Sequence, residues 1–589
     1  MDRRDVLVVG LLSAGLMVVM VPIASLGVNA HHDGIMLKPA LDVLAGQVLF
    51  RDTFTQYGAL TTYLQAVALW IQPSLLSLRF MTVAAYTVTL FFLYVSWRLI
   101  LPRSLSVVSC GLYVLFIPCY EKDWLDQYWT LLPWSSVFAM MFQSVALYAL
   151  LQLIRGRQAA RWGAVLGLTC ACVFWCRQPV GVIMAGCVAV IWLALDWTDW
   201  APAGVSKRST FLGMIGGFGA VHAVLLGGIL LSGGGAAWWY QNIVWPSQWV
   251  GTVPLTWHQF ITVFVHPAAA AWLLAVLLAA AIPRLVWRIR PEASPWLMLA
   301  FLLCLGGVLV WQYERVLQAL ALRHGGWTAL FPLVVLLQAI VSLALGFGAR
   351  GKTRTTEYHL VAALAALSLG SLLQYFPLPD PWHILWSLAP AFGLCVFAFW
   401  RWLAWPAPAV ALLLAALFLP SVYAVARSAR DSLSRPMVTL TAPAVLRGMK
   451  VSPDEAHRFG QITNTIDLVL KHRPDIPGAM IGNDALVLCF LPNRANPLPY
   501  YVNWPGLADL VANQQRWRYI EIARPLMFFC QANWEAVNDF YRRARYVPLL
   551  YVPEEAMEIA VPQEVADAMG VTVYGAALEH GTANQISKP

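Results

Sequence analysis

Residues 6–28 read VLVVGLLSAGLMVVMVPIASLGV and run almost directly into His31-His32-Asp33-Gly34. A hydrocarbon core of about 30 Å takes roughly 20 apolar residues per helix, so this stretch is one full crossing. Only Met1 to Asp5 precede it, and no small-residue cleavage site follows, which reads as a retained first helix rather than a removed signal peptide. Working outward, similar stretches recur to about Tyr423, thirteen in all, two of them short or interrupted. They are continuous rather than alternating, which excludes a β-barrel. The whole chain of 589 residues is 59% hydrophobic and 12% charged, with mean hydropathy +0.64, far above a soluble domain. The expectation is an α-helical polytopic membrane protein with about 13 transmembrane helices and a C-terminal soluble α/β domain. Residues 1–426 form the membrane domain, with external loops at 30–76, 119–133 and 232–260, and residues 427–589 form the soluble one.

Lysine and arginine set the orientation. With the N-terminus in the cytoplasm, cytoplasmic loops hold sixteen basic residues, among them Arg98, Arg103, Arg155 and Arg161. The opposite loops hold seven: Lys38, Arg51, Arg79, Lys122, Arg177, Arg315 and Arg323. The net charge of +9 belongs to the membrane part, since the tail after Ala426 carries 16 basic and 16 acidic residues. The charge therefore reports topology and is no argument for nucleic-acid binding. An odd helix count places the tail outside the cytoplasm. There, Cys489 and Cys530 either pair in an oxidising compartment or stay as two buried thiols.

Met36, Leu37, Ala40, Leu41, Val43 and Leu44 form an apolar stripe ending at Gly46, which predicts a short amphipathic helix at the membrane surface. A second runs from Ala59 to Ile71. Later membrane helices are read at 80–101, 105–118, 211–231, 261–282, 296–311, 327–345, 360–373, 383–399 and 404–423. The loop from Gly233 to Phe260 holds Trp238, Trp239, Tyr240, Trp245, Trp249 and Trp257 and no charge, as suits a lid or a re-entrant segment. In the tail, Val451 to His472 reads as a helix capped by Ser452 with Glu455 three residues on. Ala479 to Ile481, Ala485 to Leu491 and Tyr519 to Ala523 read as strands.

External acids that solubility does not require point to function. Asp33, held at the bilayer surface by the first helix, is placed to act as general base on an acceptor hydroxyl, or else to cap an interfacial helix. Arg177 either snorkels or pairs with a phosphate. Asp123 and Asp126, at i and i+3, are candidates for an acceptor or a divalent ion (Mg or Mn), and also read as ordinary loop charge. Lys122 is a phosphate candidate, and Glu314 and His383 are candidates for contact with a sugar or acceptor. No tightly bound metal is expected, because adjacent His31 and His32 point different ways.

Residues 32–58, HDGIMLKPALDVLAGQVLFRDTFTQYG, resemble the first external loop of the GT-C superfamily of membrane glycosyltransferases. That superfamily includes the protein O-mannosyltransferases and the lipid A aminoarabinose transferases. The resemblance implies a catalytic acid just after the first helix, at Asp33, and a basic turn at Arg177; beside these, Asp52, Tyr57 and Trp239 are candidates for sugar or acceptor contact. It also implies a polyprenyl-phosphate sugar donor, a glycan, lipid or protein acceptor, and a bacterial inner membrane with the tail in the periplasm. The chain has Asp-Gly where the mannosyltransferases show adjacent acids. It lacks the Trp-Trp-Asp-Tyr-Gly motif of oligosaccharyltransferases, since Trp238-Trp239 is followed by Tyr240-Gln241. The function expected is inverting sugar transfer. The rivals are a lipid-linked sugar transporter or flippase, and a surface-polysaccharide polymerase or ligase. The acids lie in external loops rather than at mid-membrane, which argues against transport.

Overall fold

The computed structural model describes residues 2–115 except 56, residue 117, and residues 129–156, 158–197, 206–247, 356–371, 385–386, 389–403, 405–482, 485–491, 518–530, 540–541, 543–553 and 557–571. Among these, α1 (Arg3–Ala24), α4 (Leu75–Trp97), α6 (Ser135–Ile154), α7 (Ala159–Cys176) and α9 (Lys207–Leu231) are long and apolar enough to cross a membrane. The remaining helices before the tail are α2 (Ala30–Leu44), α3 (Ala59–Ile71), α5 (Arg103–Leu115), α8 (Gln178–Trp197), α10 (Gly235–Trp239), α11 (Thr356–Ser371), α12 (Phe392–Leu403) and α13 (Ala407–Leu433). The protein is a polytopic helical membrane protein. The helices expected at 261–282, 296–311 and 327–345 lie outside the described residues.

The chain divides into two compact units. The first comprises Met1–Ile23, Thr82–Val224 and Pro254–Ser434. Its helices approach closely where side chains are absent. A Cβ on Gly167 would lie 2.0 Å from the Met214 carbonyl oxygen, and one on Gly217 would lie 2.2 Å from that of Ala164, so α7 and α9 touch backbone to backbone. Asp5, near the start of α1, accepts hydrogen bonds from the Tyr94 hydroxyl at 3.0 Å, Arg98 Nε at 2.9 Å and Arg103 Nε at 2.8 Å. These arginines, read from sequence as topological anchors, thus neutralise a buried acid as well.

The second unit comprises Ala24–Met81, Leu225–Val253 and Arg435–Pro589. Residues 30–76 and 232–247, read from sequence as loops of the membrane domain, therefore pack in one unit with the tail. Two short strands, β1 (Val438–Thr439) and β2 (Lys450–Val451), pair antiparallel, and a four-stranded sheet has strand order β3-β4-β6-β5, from β3 (Gly478–Ile481), β4 (Leu526–Cys530), β5 (Tyr546–Val552) and β6 (Met557–Pro562). The β3–β4 pair is parallel and the others are antiparallel. Helix α14 (Pro453–His472) carries the capping box expected of Ser452 and Glu455, with the Glu455 amide donating to Ser452 Oγ at 3.2 Å and Ser452 N to Glu455 Oε2 at 2.9 Å. The chain leaving α1 is stitched to the tail: Gly27 N donates to the Lys450 carbonyl at 2.8 Å, and Lys450 N to that of Ser25 at 2.6 Å.

Three local readings are corrected. Helix α2 is not a surface helix, because every residue from Asp33 to Asp42 is buried. Its apolar residues share one core with α3 and with tail residues such as Leu446, Ile466, Leu486 and Val561. Ala485–Phe490 is a 3-10 helix rather than a strand, and residues 518–523 are helical. A short apolar run fits a buried strand and a buried helical turn equally, and packing decides between them. Ala479 to Ile481 does form a strand.

Glu558 on β6 is 3% exposed and accepts a hydrogen bond from the Tyr541 hydroxyl. Burial pushes its carboxyl from the ordinary 4.5 up to about 7. The folded tail thus keeps a proton that the unfolded chain releases. Stability from this group is full below pH 4.5, is lost as pH rises to about 7, and levels off above that. Thermal unfolding scans across that window are expected to show a falling midpoint that Glu558→Gln flattens. An unchanged slope in the variant would assign the loss to other groups.

Candidate functional site

The site begins where α1 ends. Asn29 caps α2, its side chain accepting from His32 N at 2.8 Å. One turn into the helix, Asp33 Oδ2 accepts the Asn29 amide at 2.8 Å, so the two residues cap each other in the manner of a capping box. The same oxygen accepts Arg79 Nη2 at 2.6 Å, and Arg79 Nη1 donates to the Leu26 carbonyl at 2.6 Å. Both side chains of this ion pair are 0% exposed. Arg79 lies in the second turn of α4, so a fork of two donors ties the exit of the first span and the start of the second to one carboxylate.

The next residue, Gly34, makes this packing feasible. A Cβ there would lie 2.3 Å from Leu486 N and 2.9 Å from the Ala485 carbonyl carbon, so the 485–490 helix of the tail rests on the backbone beside Asp33. Further along α2, Lys38 Nζ lies 2.5 Å from both Asp42 oxygens, and Thr53 Oγ1 donates to Asp42 Oδ2 at 2.7 Å. Lys38 and Asp42 are each 0% exposed. Burying a charge is costly unless it is paired and hydrogen-bonded, and here each acid has its cation.

Asp52 accepts Arg51 Nε and Nη2, both at 2.8 Å, and the Arg51 guanidinium holds its carboxyl below the usual carboxylate range. Arg51 Nη1 also donates to the Ser232 carbonyl at 2.9 Å, and Gln241 Nε2 to that of Phe50 at 2.9 Å. The uncharged aromatic segment is therefore docked on the 46–55 turn, with Trp245 edge-on to Phe54 at 6.3 Å between ring centroids. Trp239 remains 56% exposed and Tyr57 is half-buried. Asp33 and Asp52 thus sit in the same unit with separate partners.

Arg177, in the first unit, is the single residue between α7 and α8, not the start of an extended turn. Its guanidinium Nη1 donates to Ser136 Oγ. Lys122, Asp123, Asp126, Glu314 and His383 lie outside the described residues. Among the described residues, no group of three His, Cys, Asp or Glu side chains is placed to hold a metal ion. Cys489 and Cys530 are not joined in a disulfide. Cys489 Sγ turns back to the Ala485 carbonyl at 3.6 Å within its own 3-10 helix, and Cys530 ends β4, so both serve as small core residues.

Arg79 and Lys38 were counted in the sequence only as topological charges. The available signal for Arg79 was an arginine at the head of an apolar span, where an unpaired charge is not tolerated. For Lys38 it was the i, i+4 spacing to Asp42.

No family model matches the chain, and no curated protein matches its sequence. Among solved structures, the chain is similar to the Archaeoglobus fulgidus oligosaccharyltransferase in complex with Zn and sulfate, at 12% identity and TM-score 0.47, over 95% of this chain and 73% of that one. It is similar to Archaeoglobus fulgidus AglB, an archaeal oligosaccharyltransferase in complex with an inhibitory peptide and a dolichol-phosphate, at 13% identity and TM-score 0.42, over 94% and 74%. It is also similar to ArnT from Cupriavidus metallidurans bound to undecaprenyl phosphate, at 13% identity and TM-score 0.42, over 94% and 97%. The chain's own apolar spans make it a polytopic helical membrane protein, and the acid of a buried ion pair follows the first span in sequence.

Proposed function

We propose that this chain is a GT-C-type membrane glycosyltransferase that moves a sugar from a polyprenyl-phosphate donor to an acceptor hydroxyl on the extracytoplasmic face, with inversion. The observation that carries the reading is the buried Asp33, paired with Arg79 of α4 and lying directly after the first membrane span in a loop that resembles that superfamily. In this reading the acceptor takes over the Arg79 contact to Asp33. Its O–H proton passes to the carboxylate while its oxygen attacks the anomeric carbon from the face opposite the phosphate. The bond from that carbon to the phosphate oxygen breaks, and polyprenyl phosphate leaves with the electron pair. Phosphate is a good leaving group, so the protein supplies mainly position and charge stabilisation. Arg177 and Lys122 are the candidates for holding the phosphate. The exposed Trp239 face is suited to stacking on a sugar, and Asp52, Tyr57, Glu314 and His383 are the candidates for further sugar or acceptor contact. The tail lies on the periplasmic side of a bacterial inner membrane.

The test is transfer of radiolabelled sugar from a panel of polyprenyl-phosphate donors by the purified protein in lipid. Asp33→Asn is expected to reduce transfer by at least about a hundredfold with donor binding retained, and because it also leaves the buried Arg79 without its carboxylate, the unfolding midpoint is read beside the activity. Equal transfer by wild type and variant would remove Asp33 from the chemistry. Absence of transfer from every donor, with suitable acceptors present, would favour the transporter. A parallel arm with chelator asks whether a divalent ion, for which Asp123 and Asp126 are the candidates, takes part.

A further inference from the structure

Of the two short helices that the sequence puts at the membrane surface, α2 is enclosed and α3 keeps one open face. The open face is the apolar one. Thr61, Thr62 and Gln65 point inward and are at most 2% exposed, with Thr62 Oγ1 3.2 Å from Thr55 Oγ1. Ala66, Ala68 and Leu69 also turn inward, into a core shared with Leu37, Ala40 and Leu41 of α2. Leu60, Tyr63, Leu64, Val67, Trp70 and Ile71 form the opposite stripe, at the three- and four-residue spacing of one helix face. Val67, Trp70 and Ile71 are 58%, 78% and 76% exposed. A helix in water hides its apolar residues and shows its polar ones. This one does the reverse, which suits a surrounding that is itself apolar.

Two further observations say what that surrounding is. No Asp, Glu, Lys or Arg occurs between Asp52 and Arg79, so α3 has nothing to pair with a charged partner or an anionic headgroup. Interfacial helices commonly line their polar face with Lys and Arg to meet headgroups, whereas the polar face of α3 is turned into the protein. The end of α3 is also fixed at the head of a membrane span. Gln72, the residue after the helix, accepts a hydrogen bond at its carbonyl from Ser77 Oγ in the first turn of α4, at 2.8 Å. The open stripe of α3 thus stands beside the start of a helix whose own outer face, at Phe80, Val88 and Phe91, is apolar and exposed.

We propose that the outer face of α3 is embedded in the acyl chains of the bilayer and seats the second unit in the membrane independently of headgroup charge. The proposal does not rest on the sugar-transfer reading.

The experiment uses the full chain in vesicles of phosphatidylcholine, with and without phosphatidylglycerol. p-Acetylphenylalanine is placed singly at position 67 or 71 and coupled to a hydroxylamine nitroxide, which leaves the native cysteines unlabelled. Position 18 of α1, 73% exposed on a membrane span, is the lipid control, and position 471, exposed near the end of α14, is the water control. Relaxation of the label is compared in oxygen, which concentrates among acyl chains, and in a nickel chelate, which stays in water. At 67 and 71 the ratio of oxygen to nickel relaxation is expected to rise well above that at 471 and toward that at 18, equally in both lipid mixtures. A ratio like that at 471 puts the face in water and overturns the proposal. Low relaxation by both reagents also overturns it, because the face is then covered by protein; dipolar broadening between labels would identify a second copy as the cover. A rise seen only with phosphatidylglycerol overturns the independence from charge. Both positions are exposed, so the label does not enter the core, and a wild-type unfolding midpoint in each labelled protein separates a change of surrounding from a folding defect.

Discussion

Arg79→Met is expected to lower the stability of the second unit by about 3–5 kcal/mol, the largest effect of any single change considered for this protein. The side chain it removes is 0% exposed and supplies both the cation for Asp33 and a donor to the Leu26 carbonyl. Met fills much of the same volume, so the loss is electrostatic. Asp33 would remain buried with the Asn29 amide but without its cationic partner. Breaking one half of a buried pair is costly, whereas replacing both halves by neutral groups is often close to neutral. The double variant Asp33→Asn with Arg79→Met is therefore expected to recover part of the loss, which surface charges would not do. Thermal unfolding followed by tryptophan fluorescence in detergent makes the comparison. Single and double variants that both unfold at the wild-type temperature would show that the pair is not the tie between the first two spans.

Gly34→Ala is expected to be nearly as damaging despite adding one methyl group. The new Cβ would lie 2.3 Å from Leu486 N, 2.9 Å from the Ala485 carbonyl carbon and 3.0 Å from Leu486 Cα, all of them main-chain atoms that no rotamer change can move. Either α2 or the 485–490 helix must shift. Overpacking of this kind costs about 1–3 kcal/mol and occasionally more, and contact with backbone places this position at the upper end. Gly460→Ala, on α14, is the control, because nothing lies within 4 Å of its Cβ. That change is expected to be neutral or to stabilise by roughly 0.5–1 kcal/mol, as alanine is the better helix former. Hydrogen exchange should localise the Gly34→Ala loss to residues 485–490, and protection there equal to wild type would show that the close approach is relaxed in solution. Because Gly34 adjoins Asp33, the proposed transfer should fall with it.

The elements that local sequence encodes were legible. The first apolar span, helix α3 at Ala59–Ile71 and the capping box of α14 all follow from runs, periodicity and spacing within one turn or one bilayer thickness. Asp33 stood out for the same reason, as a carboxylate placed directly after an apolar span. What surrounds it was not legible. The apolar stripe from Met36 to Leu44 made α2 look like a half-solvated surface helix, yet the tail packs over it and Asp33, Lys38 and Asp42 are all buried. The partner that makes this tolerable for Asp33, Arg79, stands 46 residues away, and the helix that closes over Gly34 comes from residues 485–490. That 3-10 helix is a continuous apolar run and the helical turn at 518–523 carries the alternation of a strand, so both read as strands from sequence. Compartment alone left the state of Cys489 and Cys530 open, and the inward turn of the Cys489 thiol decides it. Sequence by itself determined the membrane class and the position of the acid, because apolar length and local spacing are properties of contiguous residues. Only tertiary structure decided that the acid is enclosed, cation-paired and covered by the tail, because the free energy of burying a charge depends on groups the chain brings from elsewhere.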